Sequence, residues 1–167
     1  MLAVMHKTAT FSVSAIDADV CAQLRVRDDA GNVPELLVDT EGGSPLRCCL
    51  SVSAPGEPVV LASYAPLRRW ASDNGAKPGA YEEVGPVFLH AQPCAGPSSD
   101  GFPAAYRGSP RVLRAYNSNG RLVGGELLDG TDEPEPVIER LFADPDVALL
   151  HARAVVYGCF TFAIDRR

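Results

Sequence analysis

The chain of 167 residues lacks the features that mark several large classes of protein. No apolar run approaches the roughly 20 residues that span a bilayer, and no glycine-rich motif for a phosphate or a dinucleotide is present. The net charge of -6 argues against a general binder of nucleic acid or anionic membranes, because phosphates would be repelled overall. The opening residues do not form a secretory signal. We therefore expect a cytoplasmic protein without a nucleic-acid or membrane partner.

A C-x-x-C pair is also missing, so neither a thioredoxin-like motif nor a zinc ribbon is available. The chain still has five cysteines, which are Cys21, Cys48, Cys49, Cys94 and Cys159. An odd number argues against a complete disulfide framework, and thiols in a chain without a secretory signal indicate a reducing compartment. Packing as small apolar side chains is the ordinary role of such cysteines.

The order of predicted elements indicates an α+β fold with a single domain over residues 1–167. At 46% hydrophobic residues, the chain is long enough to fold without a disulfide or a metal. Alternating or apolar runs predict strands over 8–16, 46–52, 58–64 and 84–90, on both sides of an Asn119–Gly120 turn, and in a final run that bends near Gly158. Helices are predicted over 17–26 and over about ten residues before Pro145, whereas 65–82 is predicted to be a loop or a broken helix. The result is a largely antiparallel sheet with about two helices.

Strand alternation also sorts the polar side chains, because residues i and i+2 share a face. In 46–52 it places Cys48 in the core, with Arg47 and Cys49 on the opposite face. Similar rows carry His90, Arg114 with Tyr116, and His151 with Arg153, Tyr157 and Cys159. Such rows are either the solvated face of a sheet or the lining of a shared pocket. Cysteine and tyrosine are unusual on a purely solvated face, which favours the pocket.

A shared pocket would suit thiol chemistry. Arginines beside a thiol favour its thiolate, so Cys49 or Cys159 would be the nucleophile. His90 is the natural general base, and a turn at Pro93 would bring Cys94 toward it. The candidate catalytic residues are Cys49, His90, Cys94, Tyr157 and Cys159, and the candidate substrate-binding residues are Arg47, Arg114 and Tyr116. The leading hypothesis is an enzyme, or an enzyme-like protein, that acts on a small anionic metabolite.

Two other functions remain open at this point. The first is a non-catalytic ligand-binding or protein-interaction domain whose cysteines only pack. The second is a zinc-binding domain, since cysteine and histidine are zinc ligands. The spacing matches no closed zinc site, however. Adjacent cysteines on a strand, such as Cys48 and Cys49 here, seldom both reach one ion. No metal ligand and no cofactor is therefore assigned. An apolar edge strand around Val87 to Leu89 would allow a homodimer.

Four longer strings in the chain are RDDAGN, GGSPLRCCL, EVGPVFLHAQPCAG and YGCF. Together they resemble the bacterial proteins grouped as domain-of-unknown-function family 1203, over about Phe11 to Asp165. The resemblance implies a small, single-domain bacterial protein, often from a GC-rich genome. It supplies no reaction, cofactor or catalytic set.

Overall fold

Two five-stranded sheets form the framework of the protein in a computed structural model, which describes residues 10–167. The strands are β1 (Phe11–Ser14), β2 (Glu35–Asp39), β3 (Pro45–Leu46), β4 (Ser51–Val52), β5 (Glu57–Tyr64), β6 (Gly85–His90), β7 (Arg111–Tyr116), β8 (Leu122–Leu128), β9 (Leu149–Ala154) and β10 (Phe160–Arg166). The helices are α1 (Ala18–Leu24), α2 (Pro66–Asn74) and α3 (Pro134–Phe142). Sheet A has the order β1-β10-β9-β7-β8, and sheet B has the order β2-β5-β6-β3-β4.

The pairing is antiparallel throughout both sheets except between β3 and β6. The predicted α+β class is therefore confirmed, although the strands divide into two sheets where the pattern indicated one. The turn around Gly120 (φ 76°) and the bend at Gly158 (φ 70°) connect the expected hairpins of sheet A. Of the first predicted strand, Phe11–Ser14 is observed, and residues 8 and 9 lie outside the described part of the chain.

The segment 65–82, predicted to be a loop or a broken helix, contains the nine-residue helix α2. Pro66 occupies its first turn, where a missing N–H group costs nothing, and Gly75 ends it in the left-handed conformation (φ 64°). Pro66 and Gly75 therefore mark the two ends of a helix, whereas the sequence pattern predicted that they interrupt one. Within residues 10–167, no helix has the length and hydropathy that crossing a membrane requires.

The predicted strand 46–52 is wrong in its centre, where the chain makes a turn. Strands β3 and β4 pair antiparallel, and residues 47–50 form the connection between them. Leu50 donates its N–H to the carbonyl of Leu46 at 2.9 Å and has a φ of 59°. Strand alternation therefore does not apply to Cys48 and Cys49.

Strand β6 does not form the sheet edge that was predicted, because it lies between β5 and β3. Val87 and Leu89 are buried, so they cannot provide the apolar edge expected for a homodimer. Strand β2 is one edge of sheet B and carries exposed Leu36 and Val38.

Each sheet has its own core, and the turn 47–50 connects the two sheets. One cluster packs sheet A against α3, and another packs sheet B against α1 and Phe160. The Arg47 carbonyl accepts from the Ile16 N–H at 2.9 Å, and its Nε donates to the Phe160 carbonyl at 2.8 Å. The position of the turn is therefore set by contacts on both sides.

Candidate functional site

Four potential ligand side chains converge where this turn meets the end of β6. The thiols of Cys48, Cys49 and Cys94 and a ring nitrogen of His90 all lie within 4.8 Å of one another. Cys48 is buried and the other three are half-buried. We call these four residues the Cys/His cluster. The structure thus brings together three of the predicted catalytic residues and adds Cys48, which alternation had assigned to the core.

The turn explains how two adjacent cysteines reach one point. On a strand, successive side chains point to opposite faces, which would separate the two thiols. The turn instead ends at Leu50, whose left-handed φ is uncommon for a residue other than glycine. The Leu50 side chain is 4% exposed and packs in the core of sheet A. Core packing therefore holds a strained backbone in the conformation that orients the thiols.

Hydrogen bonds hold Cys48, Cys49 and His90 in the Cys/His cluster. The His90 N–H donates to Cys48 Sγ at 3.3 Å, and His90 Nε2 lies 3.4 Å from Cys49 Sγ. Cys49 Sγ is also 2.9 Å from the Ser51 hydroxyl. His90 Nδ1 forms a pair with Oε1 of Glu57, whose other oxygen accepts from the Ala54 N–H at 2.7 Å. A carboxylate on one ring nitrogen orients the imidazole and leaves the other nitrogen for the cluster.

The two adjacent thiols differ in acidity. The hydrogen bond from Cys48, with further bonds from Ser51 and His90, lowers the pKa of Cys49 to about 5 against the effect of burial. The same Cys48–Cys49 hydrogen bond, together with burial, raises the pKa of Cys48. The cluster thus favours a thiolate at Cys49 next to a protonated Cys48. Nearby Cys21 is a buried thiol whose pKa burial raises to about 11, and its Sγ donates to the Ile16 carbonyl at 3.4 Å.

The donor set fits a tetrahedral metal ion. Zinc binds thiolates at about 2.3 Å and imidazole at about 2.0 Å, so neighbouring ligand atoms lie about 3.5 to 3.8 Å apart around it. The 3.4 Å separation of Cys49 Sγ and His90 Nε2 already matches that geometry. The span of 4.8 Å for the whole set requires only small side-chain movements.

Two cavities adjoin the Cys/His cluster. One of about 530 Å³ is lined by Cys48, Cys94 and Arg25, and another of about 260 Å³ is lined by Cys49 and Ser51. Arg25 donates to the carbonyls of His90 and Gln92 at 2.9 and 3.2 Å, and thereby orders the segment that precedes Cys94. The cluster is therefore accessible from solvent-connected space on two sides.

Sequence reasoning missed Glu57, Ser51 and Arg25. Val59 pairs with His90 across β5 and β6, so Glu57 lies two residues along β5 from the partner of His90. Only the register between the two strands reveals this neighbour, and the sequence pattern does not supply the register.

The remaining predicted site residues lie away from the Cys/His cluster. Arg47 is 3% exposed and hydrogen-bonds the carbonyls of Phe160 and Pro45, which is a structural arrangement. Arg114, Tyr157 and Cys159 line a separate cavity of about 360 Å³ together with Glu83 and Arg153. Tyr116 is buried, and Tyr157 is 85% exposed. Glu83 precedes β6 and His90 ends it, so the two sites lie at opposite ends of this strand, about 16 Å apart along it.

The fold and the Cys/His cluster define an α+β protein with a thiol-rich centre in its second sheet. The family model described as "Protein of unknown function (DUF1203)" matches residues 43–166, and the chain belongs to this family. The match confirms the resemblance seen in the sequence and includes all four residues of the cluster. No curated protein and no solved structure matches the chain.

Proposed function

We propose that the protein binds a zinc ion through Cys48, Cys49, His90 and Cys94. The observation that carries the proposal is the convergence of three thiols and one imidazole within 4.8 Å. Soft thiolate and imidazole ligands select zinc over hard cations such as magnesium or calcium. Four protein ligands complete a tetrahedral site, which is typical of a structural centre.

The surroundings of the donors support the same proposal. The carboxylate of Glu57 on His90 Nδ1 is the outer-shell partner that zinc-bound histidines usually have. The backbone N–H of His90 already donates to Cys48 Sγ, and this bond would support Cys48 when it binds the metal as a thiolate. Zinc binding would displace the thiol proton of Cys48, whose pKa is raised, so metal uptake would release protons.

A metal at this position would join three parts of the chain. Cys48 and Cys49 belong to the turn after β3, His90 ends β6, and Cys94 belongs to the irregular segment that follows. That segment lines both adjoining cavities. The ion would therefore order the walls of the cavities, and its binding energy would add to the free energy of unfolding.

Elemental analysis with native mass spectrometry tests the proposal directly. Purified protein should hold one zinc per chain, and the extra mass should disappear on denaturation. Cys94→Ser should lower the zinc content, whereas Cys159→Ser, at the other cavity, should leave it unchanged. A metal-free protein that also fails to bind added zinc would refute the proposal.

A second candidate function, a thiol-dependent enzyme, is favoured by a different observation. Cys49, His90 and Glu57 stand in the order of a nucleophile, a general base and an orienting carboxylate. In such an enzyme the Cys49 thiolate forms a C–S bond with a substrate carbonyl carbon. The leaving group departs with a proton from His90, and water, deprotonated by His90, then hydrolyses the thioester and frees the thiolate.

Thiol labelling of the chelator-treated protein tests this candidate. Iodoacetamide should modify Cys49 fastest. His90→Gln should slow the modification of Cys49 and leave the rate at Cys159 unchanged. Equal rates for Cys49 and Cys159 would exclude an activated nucleophile. Arg47 and Arg114, which were expected to bind an anionic substrate, lie outside this site.

A further inference from the structure

Glu83 bridges two arginines in the cavity at the other end of β6. Its Oε2 lies 2.7 Å from Arg153 NH2 and 3.1 Å from Arg114 NH1. The two arginines come from the adjacent strands β9 and β7, where Arg114 pairs with His151, two residues before Arg153. Sheet A thus presents two guanidinium groups to one carboxylate from a loop that leads into sheet B.

The two sides of this contact differ strongly in exposure. The Arg153 side chain is 9% exposed, whereas that of Glu83 is 47% exposed. The NH1 group of Arg153 donates to the Gly158 carbonyl at 2.9 Å, and its buried Nε has no hydrogen-bond partner within residues 10–167. A buried guanidinium without an anion is costly, and Glu83 supplies that anion here from the solvent-exposed side.

The space beside the arginines suits the body of a small molecule. The cavity has about 360 Å³ and is lined on its apolar side by Tyr64, Phe160, Pro66 and Pro86. Tyr64 and Phe160 pack with ring centroids 5.4 Å apart. A pocket with apolar walls and a few fixed charged groups is typical of metabolite sites.

The positive charge at the base of the pocket is fixed in place. Burial lowers the pKa of Arg114, but hydrogen bonds to Tyr116 and Glu83 outweigh burial and raise it. His151 beneath it is 1% exposed and packs between Tyr116 and Phe160. Its pKa is lowered to about 3 by burial and by Arg153 and Arg114, so it is neutral and leaves the arginines as the cations that face the pocket.

We propose that this pocket binds a small molecule through its carboxylate, and that Glu83 occupies the carboxylate position until the ligand displaces it. The ligand carboxylate pairs with Arg114 and Arg153, and its apolar part lies against Tyr64 and Phe160. Glu83 returns to solvent, where its charge is well hydrated. The apparent affinity for the ligand is therefore the intrinsic affinity multiplied by the fraction of molecules in which Glu83 has left the site. This inference concerns a second site and is independent of zinc binding at the Cys/His cluster.

Calorimetric titration with benzoate tests the proposal, with benzamide as a neutral isostere and inorganic phosphate as another anion. Glu83→Gln should bind benzoate at least about tenfold more tightly than the unmodified protein, because the competing carboxylate is gone. Glu82→Gln is the matched control, since Glu82 pairs with Arg68 outside the pocket, and it should keep the original affinity. Arg114→Gln should abolish binding.

Thermal unfolding supplies an independent readout on the same proteins. Benzoate should raise the Tm of the unmodified protein, and should raise that of Glu83→Gln further, whereas benzamide should raise neither. If benzoate at millimolar concentrations binds neither the unmodified protein nor Glu83→Gln, the proposal is overturned and Glu83 is a structural ion-pair partner. Equal binding of benzamide, or tighter binding of phosphate, would overturn the carboxylate assignment.

Discussion

His90 contacts Glu57 through one ring nitrogen and Cys49 through the other. The Nδ1 contact crosses from β6 to β5, and Nε2 lies 3.4 Å from Cys49 Sγ. Since Nδ1 faces the Glu57 carboxylate, Nε2 is the ring nitrogen directed at the thiols. Glu57 is therefore a positioning residue for a metal ligand or for a general base, and it belongs to the fold of sheet B.

Replacing Glu57 by glutamine should weaken zinc binding by about 10- to 100-fold, the usual effect of losing an outer-shell carboxylate. Competition with a chromophoric chelator measures this change. Glu35→Gln, on the exposed edge strand β2, is the control and should leave the affinity unchanged. Equal affinities for all three proteins would show that Glu57 does not position His90 for a metal.

At Leu50, glycine should be a more stable replacement than alanine, which is the reverse of the order expected for a core leucine in a strand. Its φ of 59° costs an L-residue about 1–2 kcal/mol, which glycine does not lose. Leu50→Gly should therefore be more stable than Leu50→Ala by about 1 kcal/mol, although both lose the buried side chain. Urea denaturation of the two variants measures the difference.

Leu113 provides the control for that comparison, because it is fully buried in the same core and lies within strand β7. There glycine should be less stable than alanine, by about 0.5–1 kcal/mol. The same order of stability at both positions would mean that the turn 47–50 relaxes in solution.

The sequence pattern predicted most strands, because hairpin turns and alternation are local signals. The Asn119–Gly120 turn and helix α3 are two examples. The sequence pattern could not predict how the strands divide between two sheets, since that division depends on pairing between strands that lie far apart in the sequence. The turn at Leu50 was also hidden, because tertiary packing imposes a backbone conformation that leucine does not favour.

The candidate site shows the same limit. Alternation placed Cys49 apart from Cys48, but the turn brings both to His90 and Cys94. Adjacency in sequence therefore misled where a strand was assumed. The two arginines predicted to bind a substrate beside the thiol do not join the cluster. Arg47 bridges the two sheets, and Arg114 belongs to the other end of β6.

Buried His151 should make the protein less stable at acidic pH. Its pKa is lowered to about 3 in the folded protein by burial and by the charges of Arg153 and Arg114, against an ordinary value of 6.5. Below pH 6.5 the unfolded chain takes up a proton that the folded chain does not, so the free energy of unfolding falls until pH 3. Above pH 6.5 this contribution is constant.

Urea denaturation of the chelator-treated protein between pH 7 and pH 4 measures this dependence without metal release. His151→Phe, which keeps an aromatic ring between Tyr116 and Phe160, should show a shallower loss of stability in that range. Identical slopes for the two proteins would show that His151 becomes charged without unfolding.

Zinc binding also predicts which cysteines react with iodoacetamide. In the zinc-loaded protein Cys159 should react first, because the three thiols of the Cys/His cluster are bound to the metal. Chelation should add Cys49 and Cys94 to the reactive set. Cys21 should stay unmodified until denaturant is added, since it is 2% exposed and burial raises its pKa to about 11. Peptide mass spectrometry counts the modified residues, and labelling that chelation does not change would contradict a metal at the cluster.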